Sequence, residues 1–137
     1  MNLVPIGVVH APYRNSGEAP RQGRLSDLSS EIEIFPAYAR GLECIERYSH
    51  LFILYWMDRA NRNALSATPP GTHTERGVFA TRSPHRPNPV GIGVVDLLDV
   101  SGRTLLVRGL DALDGSPVLD VKPYVPSLDA VTDEQVQ

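Results

Sequence analysis

At 137 residues, with 42% hydrophobic and 21% charged side chains, the chain has the makeup of an ordinary globular protein and is long enough to bury a core without disulfides or metals. Its net charge of −3 speaks against a nonspecific nucleic-acid coat, and the one cysteine, Cys44, excludes an intrachain disulfide and a cysteine-pair metal site. Twelve prolines and eleven glycines demand many turns and few long helices, so a single, mostly β domain over residues 1–137 is expected. Charge is uneven along the chain. Residues 111–137 hold six acids against the single lysine, Lys122, whereas bases cluster in Arg14–Arg24 and Arg76–Arg86.

Leu3–His10 is a short apolar, β-branched run that reads as a strand, with Pro5 marking its start or an edge. Residues 11–24, punctuated by Pro12, Gly17, Pro20 and Gly23, form a loop that carries the polar triplet Pro20-Arg21-Gln22. Ser29–Phe35 alternates polar and apolar residues with the period of a strand wet on one face. Pro36–Glu46 has the proline at its first position and predicts one or two helical turns, with Cys44 as a small buried or half-buried side chain. His50–Met57 is continuously apolar and aromatic, the pattern of a strand covered on both faces, and it ends abruptly in charge at Asp58 and Arg59.

Residues 59–76 are polar and predict an exposed loop, after which Gly77–Thr81 reads as a strand. The next stretch, Thr81–Gly93, packs Pro84, Pro87 and Pro89 among Arg82, His85, Arg86 and Asn88. Each proline fixes its own φ and holds the residue before it in extended geometry, so this loop is stiff. Such a loop suits an anionic or heteroaromatic ligand, and it equally suits a plain corner with its charges in water. Val90–Val100 and Thr104–Leu110, joined through Ser101-Gly102-Arg103, form a hairpin. The turn Asp111–Pro117 leads to a last strand, Val118–Val125, and residues 127–137 form a polar, fraying tail. Seven strand-like runs without a long amphipathic helix predict a small antiparallel β-barrel with long loops and one or two short helices.

Several chemistries lack support. There is no Gly-rich dinucleotide fingerprint and no phosphate-binding Gly-Lys loop. The four histidines fall singly, so no metal is expected. Ser83 precedes a proline, not the glycine of a nucleophile elbow. With no apolar run long enough to cross a membrane and no secretory leader, a cytoplasmic location without membrane attachment is expected.

Three segments decide the reading: Pro20-Arg21-Gln22, the run from Gly77 to Gly91, and the run from Leu110 to Tyr124. In this order, together with Ile6–Tyr13 and the stretch from Gly41 to Leu51, they resemble the TsaA-like (YaeB-like) family over residues 6–126. The resemblance implies a β-barrel that binds S-adenosylmethionine, usually as a homodimer. It also implies methylation of N6 of threonylcarbamoyladenosine beside the anticodon of tRNA. By motif, the cofactor contacts implied are Pro20, Arg21, Gln22, Met57, Asp58, Arg82, Ile92 and the turn Asp111, Ala112, Leu113, Asp114. Asp120, Lys122 and Tyr124 are the candidates for orienting the acceptor or handling its proton.

These residue types match the ligand's chemistry. A guanidinium at Arg21 or Arg82 suits its carboxylate, and the acids Asp58, Asp111 and Asp114 suit its sulfonium. This chain has Asp58 where many relatives carry histidine and His85 where an aromatic is frequent, and longer relatives add a C-terminal domain. The alternatives are a non-catalytic S-adenosylmethionine-binding module and a methyltransferase with another substrate.

Overall fold

The computed structural model describes residues 1–14 and 28–131. Six strands close into an antiparallel barrel in the order β1 (Gly7–His10), β2 (Ser29–Ile34), β7 (Thr104–Arg108), β6 (Val90–Ser101), β3 (His50–Trp56) and β8 (Pro117–Pro123), with β8 returning to β1. The expected barrel is therefore present. Two further strands of two residues each, β4 (Ser66–Ala67) and β5 (Arg76–Gly77), pair with one another within the long excursion between β3 and β6.

Alternation along the strands fills the interior. Val9, Ile32, Ile34, Leu51, Ile53, Tyr55, Val95, Leu105, Val107 and Val118 all point into one buried cluster. Each such aliphatic side chain contributes about 1.5–3 kcal/mol by leaving water. The twelve-residue β6 makes closure possible: its first half, Val90–Asp96, pairs with β3, and its second half, Asp96–Ser101, pairs with β7. A bulge between Leu97 and Asp99 bends it from one partner to the other. The expected β6–β7 hairpin turns through Gly102 at φ 58°.

Five local expectations are corrected. Only Gly7–His10 of the first run is strand, because Pro5 has no N–H to donate and the ladder begins where Ile6 N–H donates to the Val118 carbonyl at 2.8 Å. The run His50–Trp56 alternates between buried and half-buried positions, so only one of its faces belongs to the core. Val78–Ala80 is a 3₁₀ turn rather than strand. Cys44 is exposed, at φ 69° between two 3₁₀ turns, Pro36–Leu42 and Ile45–Arg47. Pro126–Asp129 closes a single helical turn, α1, in which the Asp129 carboxylate accepts from Val125 N–H at 2.8 Å.

Antiparallel pairing around a closed ring has one consequence for function. It sends the C-terminal ends of β1, β3 and β7 and the N-terminal ends of β2, β6 and β8 to the same end of the barrel. The turns that follow β3 and β7 and the loop that precedes β6 therefore converge there.

Candidate functional site

At that end, Tyr55 is the last inward-facing residue of β3 and is only 4% exposed. A bulge between Leu54 and Tyr55 breaks the register with β8 at this point. The ring lies over Gly91 of β6, where any Cβ would overlap it, so glycine is what lets the ring reach across. Its hydroxyl donates to Asp111 Oδ1 at 2.6 Å, just after β7. Burial, then the Asp111 charge and hydrogen bond, push the Tyr55 phenol far above its ordinary range, so it stays protonated.

The Asp111 carboxyl is itself raised, chiefly by burial; the bond from Tyr55 and the positive charge of Arg82 work in the opposite direction. Arg82 acts electrostatically on both Tyr55 and Asp111. A half-buried acid thus lies within electrostatic reach of an exposed guanidinium at the mouth of the barrel.

The surrounding turns are pinned. Asp114 Oδ1 accepts from Ala11 N–H at 3.0 Å, its own N–H donates to the Tyr13 carbonyl at 2.6 Å, and Gly115 N–H donates to the Val9 carbonyl at 2.8 Å. The segment 111–115 is thereby tied to the end of β1. Met57 packs against the core, and its N–H donates to the Pro89 carbonyl at 2.8 Å.

The stiffness expected of residues 81–89 has a second source beyond proline. Arg86 donates to the carbonyls of Val78, Thr81 and Ser83 at 2.6, 3.1 and 3.0 Å. His85 Nδ1 accepts from Asn61 N–H at 2.9 Å. Arg62 stacks 5.1 Å above the Trp56 ring while donating to the Pro87 carbonyl. Arg86 and His85 therefore brace the loop, and Arg82, exposed, is the arginine it presents.

The sequence-predicted residues fall into two groups. Met57, Arg82 and Asp111–Asp114 gather at the barrel end, with Asp58 exposed beside Met57. Ala112 is wholly buried, a packing position. Ile92, Asp120, Lys122 and Tyr124 belong to a second group on the outer wall. Ile92 is 44% exposed and stands in register with Leu54, which pairs on its other side with Asp120. Lys122 Nζ lies 3.6 Å from Asp120 Oδ2, and Tyr124 meets the Phe52 ring edge-on at 5.4 Å. Pro20, Arg21 and Gln22 lie outside the described residues.

A groove of about 400 Å³ lies away from both the acid and the guanidinium, lined by Ile6, Ile34, Tyr38, Arg40, Asp120 and Val121 among others. Among the described residues no cluster has metal-ligand geometry, and no helix is long and apolar enough to cross a membrane.

Sequence reasoning missed Tyr55. The signal was available: a tyrosine in an otherwise apolar inward strand needs a partner for its hydroxyl when buried.

Residues 8–130 match the family described as tRNA-methyltransferase O N-terminal domain. The chain belongs to that family. A protein of Archaeoglobus fulgidus named S-adenosyl-L-methionine-binding protein is 57% identical over 131 residues, covering 96% of this chain and 94% of its own length. A second A. fulgidus protein is 54% identical over 99% of this chain, which spans only 37% of that protein's length. A crystal structure of TrmO superposes with a TM-score of 0.81 at 38% identity, covering 97% of this chain and 59% of the solved one. The TrmO of Pseudomonas aeruginosa gives a TM-score of 0.80 at 36% identity, with 60% of that chain covered. Within the tRNA-methyltransferase O N-terminal domain family, then, this chain spans about three fifths of the solved TrmO chains and nearly the whole of one shorter relative.

Proposed function

We propose that this chain binds S-adenosylmethionine at the barrel end and transfers its methyl group to N6 of threonylcarbamoyladenosine in tRNA, acting as a cytoplasmic homodimer. The observation that carries this is the half-buried Asp111 beside Arg82, in a family whose A. fulgidus member is named for binding that cofactor. The donor set suits the ligand. A guanidinium matches its carboxylate, and a carboxylate held in a partly desolvated site favours its positive charges more than one in water does. The bound cofactor supplies a methyl group on a sulfonium, already a good leaving group.

The protein's share is then positioning. Arg82, Asp111 and the pinned 111–115 turn hold the donor, with Met57 and Asp58 beside them and Pro20, Arg21 and Gln22 on the β1–β2 connection as further contacts. Asp120, Lys122 and Tyr124 orient the acceptor, and Asp120 takes the proton that N6 loses as the methyl arrives. For RNA, residues 58–86 offer five arginines against two acids. On the Arg86-braced turn among them, Phe79 is 82% exposed, an aromatic face on which an unstacked base can lie.

The two groups of site residues support the dimer. Within one chain the barrel wall separates Asp111 and Arg82 from Asp120, Lys122 and Tyr124. The outer wall carries exposed Ile92 and Leu98, which a second copy would cover while bringing its own acceptor residues to the donor.

Incubation with methyl-labelled cofactor and tRNA bearing or lacking threonylcarbamoyladenosine tests the reading. Label in the modified tRNA alone is expected, and label in neither rejects transfer. The same separation of the two groups favours, as a second reading, a binding module. Tight cofactor binding by calorimetry with no transfer to any RNA would select it.

A further inference from the structure

Tyr55 is 4% exposed, lies in a slot that only glycine at position 91 leaves open, and directs its hydroxyl to one oxygen of Asp111. We propose that Tyr55 is a positioning residue for the cofactor: it occupies Oδ1 of Asp111, fixes the carboxylate plane, and leaves the second oxygen to the ligand's positive charge. This rests on the reading of Asp111 as a cofactor contact and assigns the part of the fold that keeps that contact competent.

The physical need is specific. A carboxyl drawn out of water tends to take up a proton, and a protonated Asp111 no longer attracts a cationic ligand. Burial is the largest influence raising Asp111, while the Tyr55 hydrogen bond and the Arg82 charge hold it down. The Tyr55 bond is the largest of the influences that oppose its protonation, ahead of a backbone N–H at Asp111 itself and the charge of Arg82. Arg82 is exposed and also suits the ligand's carboxylate, so its charge is partly neutralised once the ligand binds. Tyr55 is uncharged, buried and protonated, so its bond carries no charge for the ligand's carboxylate to neutralise.

The test is calorimetric titration of S-adenosylmethionine into the full chain between mildly acid and neutral pH. Tyr55→Phe keeps the ring against Gly91 and deletes only the donor. It is expected to weaken binding about tenfold at neutral pH, the scale of one lost hydrogen bond to a charged group. It also moves the acid-side midpoint of binding to higher pH, because the carboxyl then protonates more readily. In an Asp111→Asn background the Tyr55→Phe change should add no further loss.

Site-specific 3-fluorotyrosine at position 55, a stronger donor of nearly the same shape, should move the midpoint the opposite way, and it supports the test even if the phenylalanine variant folds poorly. Unchanged affinity in Tyr55→Phe, a loss with no movement of the midpoint, or additivity with Asp111→Asn would overturn the proposal. If Asp111→Asn and Arg82→Ala bind the cofactor as wild type does, the site reading itself fails. If those two weaken binding and Tyr55→Phe does not, only the present inference fails.

Discussion

Asp111 sits where a structure built for stability alone would not put an acid. Its folded pKa lies above its unfolded value, chiefly through burial. The folded state therefore holds the proton more tightly than the unfolded state does. The contribution to stability is present below the unfolded pKa and is lost as pH rises through the folded one. At neutral pH the carboxylate is a net burden on the fold. Asp111→Asn, which still accepts from Tyr55, should accordingly melt at a higher temperature than wild type at neutral pH. That advantage should shrink on acidification while cofactor binding stays weaker than wild type throughout. Thermal melts at the two pH values beside a binding titration read this directly. A lower melting temperature at neutral pH would mean that the Arg82 attraction outweighs the desolvation. A group that weakens the fold at a barrel mouth fits the cofactor contact proposed for Asp111.

At the scale of elements, the 78–89 loop shows how an arginine can do work that the sequence assigns to ligands. Arg86 closes the Val78–Ala80 turn by donating to three carbonyls, a task for a planar fork with several donors. Arg86→Ala should destabilise the protein by about 2 kcal/mol and reduce transfer to RNA by releasing Phe79, and Arg86→Lys should recover little of either. Denaturant unfolding with parallel transfer assays checks this; full recovery by lysine would show that charge alone sufficed. The period-two run Ser29–Ile34 made its strand legible, because alternation is dictated by a wall with one wet face, while apolar runs bounded by turn residues marked the others. Gly77–Thr81 misled because its apolar run owes its shape to a side chain eight positions along, Arg86 on Val78, which local patterning cannot register. His50–Trp56 looked covered on both faces because its outer residues, Phe52, Leu54 and Trp56, are as apolar as its inner ones.

For the whole molecule, those outer residues are the point. Motifs named the candidate positions, but their grouping depends on which side of each strand they occupy. Tyr55 and Leu54 are neighbours in sequence, yet one faces Asp111 inside and the other stands between Ile92 and Asp120 outside. A dimer joining the barrel end of one copy to the outer wall of its partner predicts complementation. In the proposed arrangement Arg82→Ala would damage the donor half of the site, and Lys122→Ala the acceptor half. Each variant alone should lose most of its transfer activity. Unfolded and refolded together in equal amounts, they form mixed dimers in half of the cases. Every mixed dimer contains one site with both halves intact, so activity should return to about one quarter of the wild-type level. If mixed dimers form, as differential tagging would show, and activity does not return, both halves of the site must come from the same chain and the outer wall has another purpose.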